Sequence, residues 1–245
     1  MKILLCLSST PDTTTKIKFT NDKKHLYKDG VQFVINPYDD HAIASAMELK
    51  DQHNASLTVV HVGESDADQV IRKALAIGAD DAIRINAHPH DAQYVATQIA
   101  AHVKDQGFDF IYTGRESIDY NGSMVCDMLA EYLQLPSVNF VKAIQLNGQE
   151  AHFSRFIDGG SETVKASLPV VVSSTKELAE PRIPNMRGIM QAKKKPLEVV
   201  EPVETAVKTH FTEFEPPKAK GEVQYIEPEE AEKLVDILQN QEKVL

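Results

Sequence analysis

The sequence predicts an α/β fold: a mostly parallel sheet with helices on both faces. Three observations predict it. Over about the first 175 residues, short apolar runs of strand length alternate with longer stretches of helical period. The first runs are continuous in Val, Ile and Leu, as buried parallel strands are. Later the pattern changes to runs joined by turns, one of them through Asn147-Gly148, the strongest short hairpin signal.

The elements follow in order. Lys2–Leu7 reads as a buried strand, and Val31–Ile35 as a second one closed by Asn36-Pro37. Pro37 starts a helix, with Asp39 and Asp40 in its first turn where the dipole favours acids and Ala42, Ile43, Ala46, Met47 and Leu49 at helical spacing. Ser56–Val62 is a β run ending at Gly63. Ser65 to Asp68 opens a helix with Val70, Ile71, Ala74, Leu75 and Ile77 on one face, and Gly78 suits its C-terminal cap. Asp81–Ile85 is a strand, Asp91–Val103 a helix, Phe108–Tyr112 a strand, and Gly122–Leu133 a helix. Asn139–Leu146 and Glu150–Ile157 form the hairpin; Asp158-Gly159-Gly160 is a second turn. Glu162–Ala166 and Pro169–Ser173 follow, read as antiparallel strands extending one edge of the sheet.

From Glu180 onward prolines punctuate a segment with little periodicity, and only Glu229–Leu238 reads as a helix. Residues 213–245 hold 9 acidic and 4 basic side chains, so half of the chain's net charge of -10 lies there. A segment of this composition does not order itself: it is either disordered or lies along a partner.

Composition narrows the function. The acidic balance argues against nucleic-acid binding, which needs clustered cations against phosphates. No apolar run reaches the ~18–20 residues that span a bilayer, so membrane insertion is not expected. Met1–Leu7 reads as a first strand rather than a signal peptide. Two cysteines, Cys6 and Cys126, make no disulfide framework and fit a reducing cytoplasm.

In an open parallel sheet, ligands bind beyond the carboxyl ends of the strands. The richest loop there is Gly114 to Val125, which ends at a helix N-terminus. Free N–H groups and the helix dipole favour an anion at such an end. Gly122 lets backbone approach closely, and Ser123 either caps the helix or donates to a phosphate. The dinucleotide and phosphate-loop glycine fingerprints are absent, as is a nucleophile elbow. His88-Pro89-His90 matches no metal signature and reads as a solvated loop. His61 reads as a core histidine with a satisfied ring, and Lys193 to Lys195 as a solvated or docking patch.

Several motifs occur together and in order: Asn36-Pro37-Tyr38-Asp39, Ala74 to Asp80, Gly114-Arg115-Glu116-Ser117-Ile118-Asp119, Asp158 to Thr163, and Ile189 to Lys195. In this combination the chain resembles the beta subunit of electron-transfer flavoprotein over roughly residues 1–200. The resemblance implies a Rossmann-like adenine-nucleotide-binding fold. It implies a heterodimer with a larger alpha subunit that holds most of the redox-active FAD, while the beta subunit holds a structural AMP. It implies an electron carrier rather than an enzyme, taking electrons from flavin-dependent dehydrogenases such as acyl-CoA dehydrogenases. The acceptor would be an electron-transfer-flavoprotein quinone oxidoreductase or another acceptor.

By position, the family's nucleotide contacts fall on Cys6, Asn36, Pro37, Tyr38, Asp39 and Val62. They continue on Gly114, Arg115, Ser117, Asp119, Asn121, Gly122, Ser123, Met124 and Val125. Thr13 and Tyr38 fall where the family approaches the partner's flavin. Arg182 to Met190 resembles the recognition loop, with Met186 at its anchor position; a flexible, polarizable side chain suits varied pockets. The implied division is residues 1–180 for the nucleotide-binding domain, 181–198 for the recognition loop, and 199–245 for an arm packing on the alpha subunit. Val125 stands where a hydroxyl would contact phosphate, which leaves the phosphate to backbone N–H groups. That Val also resembles the electron-bifurcating branch, in which a second FAD replaces AMP. A stand-alone adenine-nucleotide-binding module is a further alternative.

Overall fold

The computed structural model describes residues 1–219, 221 and 223–245. The core is a nine-stranded sheet with helices on both faces. Its strands are β1 (Lys2–Cys6), β4 (Ser56–Val62), β5 (Asp81–Ile85), β6 (Phe110–Gly114), β7 (Ser137–Asn147), β8 (Glu150–Ile157), β9 (Gly160–Ser167), β10 (Val170–Ser174) and β11 (Leu197–Val200). They lie in the order β11-β5-β4-β1-β6-β10-β7-β8-β9. Pairing is parallel from β11 through β7 and antiparallel from β7 to β9. A separate antiparallel pair joins β2 (Ser9–Pro11) to β3 (Phe33–Ile35).

The helices are α1 (Pro37–His53), α2 (Asp68–Ile77), α3 (Ala92–Val103), α4 (Val125–Leu133), α5 (Met186–Ala192) and α6 (Glu232–Asp236). One face of the sheet, with Ile3, Leu5, Leu57, Val59, Phe110 and Tyr112, packs with Ala42 and Ile43 of α1 and Ile71 and Ala74 of α2. The other face, with Leu4, Val60, Ile83 and Ile111, packs with Ile99 and Val103 of α3 and Leu129 of α4. Central strands buried on both faces account for the continuous apolar runs in the sequence.

The hairpin forms one residue later than an Asn147-Gly148 turn would place it: Asn147 pairs with Glu150, and Gly148-Gln149 make the two-residue turn, with Gly148 at φ 64° at its first position. The second turn pairs β8 with β9 across Gly159 at φ 79°. Several local expectations differ from the fold. The run ending at Ile35 pairs with the chain just after β1 instead of joining the main sheet. The run expected as an antiparallel edge strand, Pro169–Ser173, is instead β10, a parallel strand inserted between β6 and β7. Its three valines and two serines are buried throughout, which an edge position would not provide. The helix expected from Gly122 begins at Val125, because Asn121 and Ser123 have left-handed φ values of 51° and 50°.

Beyond Glu180 the chain is more ordered than its periodicity indicates. Asn185 caps α5 by accepting from the Gly188 N–H at 2.8 Å. β11 completes the sheet edge on β5. The Lys193–Lys195 run is not wholly solvated: Lys195 donates to the Leu75 carbonyl at 2.9 Å and caps the C-terminal end of α2. The expected helix over Glu229–Leu238 is divided into a turn at Pro228–Glu230, α6, and a wider π turn at Ile237–Gln241.

The proximal arm lies on its own domain. Gln98 of α3, fully buried, exchanges two hydrogen bonds with Val203, donating to its carbonyl at 2.7 Å and accepting from its N–H at 2.8 Å. Asp91 accepts from the N–H groups of Lys208 and Thr209 while its other oxygen caps α3. Phe214 stacks on Phe19 at 5.0 Å, and its N–H donates to the Lys23 carbonyl.

Candidate functional site

The carboxyl ends of β1, β4 and β6 and the start of α1 converge on one set of loops. Asn36 ties them together. It precedes Pro37 at the first turn of α1, and its side-chain amide donates to the Glu116 carbonyl at 2.9 Å. Its side-chain oxygen accepts from the Ile118 N–H at 3.2 Å, so one side chain fixes both ends of a three-residue segment.

Asp39 is the second fixed point. It is 1% exposed, accepts from the Ser8 N–H at 2.6 Å and from the Asn36 amide at 3.1 Å. Burial pushes its carboxyl up to about 7; the Ser8 and Asn36 hydrogen bonds oppose that shift. Gly114 ends β6 directly against it. A Cβ there would stand 2.1 Å from Asp39 Oδ1 and 3.0 Å from Tyr38 Cβ, so glycine is required by the close approach. Tyr38 is held in turn by Ser174, whose hydroxyl donates to its carbonyl at 2.7 Å.

Arg115 turns sideways. Its guanidinium carbon lies 5.9 Å from the Tyr38 ring centre and 5.2 Å from that of Phe140, within cation–π range. Phe140 reaches this position through a bulge in β7 where it pairs with β10, with φ 58° and its N–H donating to Ser173 Oγ at 3.0 Å.

The loop then enters α4. Ser117 donates to the Asp119 carboxylate, and Asn121 N–H returns to the Ser117 carbonyl at 2.8 Å. The ring of Tyr120 lies against Gly122, where a Cβ would come within 2.6 Å of it. Burial raises the Tyr120 hydroxyl above its ordinary range, and the Asp119 charge adds to this. Ser123 is left-handed and Met124 right-handed, at φ -111° and ψ -21°. Alternating backbone hands turn successive N–H groups to one side, which makes a nest for an anion. The first-turn amides of α4 lack intrahelical acceptors for the same reason any helix start does. Ser123 does not cap the helix; its hydroxyl donates to Glu116 Oε2 at 2.9 Å.

Cys6 and Val62 end β1 and β4 beneath these loops, both buried. Burial raises the Cys6 thiol well above its usual range, with the Asp39 charge adding to it, so it lies in its neutral, unreactive form. His61 is buried, its ring nitrogen 2.7 Å from the Leu7 carbonyl, and burial lowers its protonation. Thr13 is exposed on the loop after β2. Met186 is 74% exposed at the first turn of α5. α5 abuts the C-terminal end of α2, where Gly188 approaches the Ala76 carbonyl. Met186 is therefore at the end of the sheet opposite the loops that follow β1, β4 and β6, and the two groups of residues form separate surfaces.

Glu116, Ser8, Phe140 and Ser174 belong to this network, and sequence reasoning did not single them out. Glu116 alone had a signal, an acidic side chain beside a candidate anion loop. Among the described residues no group of three or more His, Cys, Asp or Glu is arranged to hold a metal ion, and no helix is long and apolar enough to cross a membrane.

Comparison with known proteins adds the family. The electron transfer flavoprotein domain matches residues 25–205, which includes Asn36 to Asp39, Gly114 to Val125 and Met186. The electron transfer flavoprotein subunit beta of Bacillus subtilis is 36% identical, over all of both chains. That of Syntrophomonas wolfei is 36% identical over all of this chain and 98% of its own. The human electron transfer flavoprotein subunit beta is 31% identical over 84% of each chain. A domain match over most of the chain, with relatives of this likeness along its whole length, makes it a member of the electron transfer flavoprotein beta-subunit family.

Proposed function

We propose that this chain pairs with an alpha subunit and binds AMP as a structural ligand at the carboxyl ends of β1, β4 and β6. The observation that carries the reading is the left-to-right turn of backbone at Ser123 and Met124 on the start of α4. It offers N–H groups to a phosphate without requiring a hydroxyl at Val125. Asn36 and Asp39 fix the adjoining loops, and Gly114 leaves the space a Cβ would fill.

FAD, held mainly by the alpha subunit, supplies the electron chemistry. This chain's residues do the rest. Thr13 and Tyr38 face that flavin. Residues 181–198 form the recognition segment, with Met186 as its anchor for flavin-dependent dehydrogenases such as acyl-CoA dehydrogenases. Residues 199–245 form the arm, whose distal half packs on the alpha subunit. The electrons go on to a quinone-linked oxidoreductase or a similar acceptor, and the complex works in the cytoplasm as a carrier with no substrate turnover of its own.

A second reading has one observation in its favour. Val125 opens α4 with no hydroxyl for phosphate, as in the bifurcating branch, where a second FAD takes the place of AMP. The nucleotide content of the denatured heterodimer separates the two. One AMP and one FAD per heterodimer supports the first reading. Two FAD and no AMP overturns it in favour of the second.

A further inference from the structure

Glu116 stands out among the groups without an assigned role. Its backbone is pinned by the Asn36 amide. Its side chain, 16% exposed, folds back across seven residues to accept from the Ser123 hydroxyl at 2.9 Å. The cation beside it makes only a loose ion pair, Arg115 Nε 3.7 Å from Glu116 Oε1, because its guanidinium is held over Tyr38 and Phe140. The neighbouring acids are engaged elsewhere, Asp119 of the same loop with the Ser117 hydroxyl and Asp39 of α1 with Ser8 and Asn36. The chain thus directs one carboxylate of its own to the entrance of α4.

We infer that Glu116 is a specificity-determining residue that competes with the ligand's phosphate for Ser123 and the start of α4. The inference rests on the nucleotide reading above. A phosphate monoester brings more than one negative charge to the place where Glu116 already supplies one. The ligand must displace the carboxylate from Ser123 and then sit beside it. A singly charged phosphodiester meets less repulsion, and an uncharged nucleoside none. Glu116 therefore lowers the affinity for AMP and leaves the contacts to adenine and ribose untouched.

The test compares the wild-type heterodimer with Glu116→Gln, both stripped of AMP with FAD retained. Each is titrated calorimetrically with AMP and with adenosine at one ionic strength. Removing one like charge at this partly exposed contact is expected to tighten AMP about tenfold, with adenosine unchanged. A merely structural role for Glu116 moves the result the other way, because a damaged loop binds AMP more weakly. Equal or weaker AMP binding by the variant overturns the inference. So does equal tightening of AMP and adenosine. If neither protein binds either nucleotide, the nucleotide reading fails, and inorganic phosphate decides the competition on its own. A larger thermal upshift by phosphate in Glu116→Gln than in wild type then upholds it, and an equal upshift overturns it.

Discussion

Asp39→Asn offers the sharpest check on the electrostatics of the loop cluster. The carboxyl is 1% exposed, and burial raises it from an ordinary 3.8 to about 7. A folded value above the unfolded one means that the folded state holds its proton over that interval. The group's contribution to stability is therefore fully present below pH 3.8 and is lost as the pH rises toward 7. The interval spans about three units, or about 4 kcal/mol, net of the Ser8 and Asn36 bonds that favour the charged form. Asparagine does not titrate. Its amide oxygen can satisfy one of the two donors and its NH2 faces the other, a roughly constant loss of about 1–3 kcal/mol at all pH values. The assay is urea unfolding of wild-type and Asp39→Asn heterodimer at fixed concentration, in steps from pH 4.5 to 8. The stability of the variant relative to wild type should rise with pH by about 2–4 kcal/mol and level off above pH 7. Taking the difference removes every other titrating group. Parallel curves, with a gap independent of pH, would refute the claim that this buried carboxyl carries a desolvation penalty.

Two further outcomes are expected from the other surfaces. Met186→Ala should slow reduction of the heterodimer by an acyl-CoA dehydrogenase about tenfold or more in stopped-flow measurements, with bound flavin unchanged; loss of flavin would instead make Met186 structural. Deleting residues 215–245, which spares the contacts of Gln98, Asp91 and Phe214 with the proximal arm, should weaken subunit association by at least about tenfold in sedimentation analysis, since Val223, Tyr225, Leu234, Val235, Val244 and Leu245 lie exposed there; unchanged association would mean that the distal arm does not pack on the partner.

Much of the architecture was legible because it depends on local periodicity. The apolar runs at Ser56–Val62, rich in valine, and at Phe110–Gly114, with its Phe, Ile and Tyr, are strands because they are buried on both faces, and burial is written into the side chains. The hairpin follows from the freedom of Gly148 to take positive φ. The strand that became β10 illustrates the limit. Its apolar content marks it as buried, but the choice between a parallel and an antiparallel neighbour depends on where β6 and β7 already lie. Likewise α5 and β11 escaped notice because each is short, seven and four residues, and is stabilised by contacts with α2 and β5 more than by its own pattern.

The candidate site divides in the same way. The sequence by itself determined that a glycine-bearing loop follows a buried strand and runs into a helix, and that its motifs together match one family, because composition and order survive without coordinates. Only the tertiary structure decided what the side chains in that loop do. Ser123 turns to Glu116 instead of capping α4, Arg115 lies across Tyr38 and Phe140, and Gly114 is fixed by an aspartate 75 positions earlier in the chain. The physical reason is range. Propensity and periodicity act over one turn or one strand, whereas hydrogen bonding, desolvation and close approach depend on atoms that the fold brings together from distant parts of the sequence.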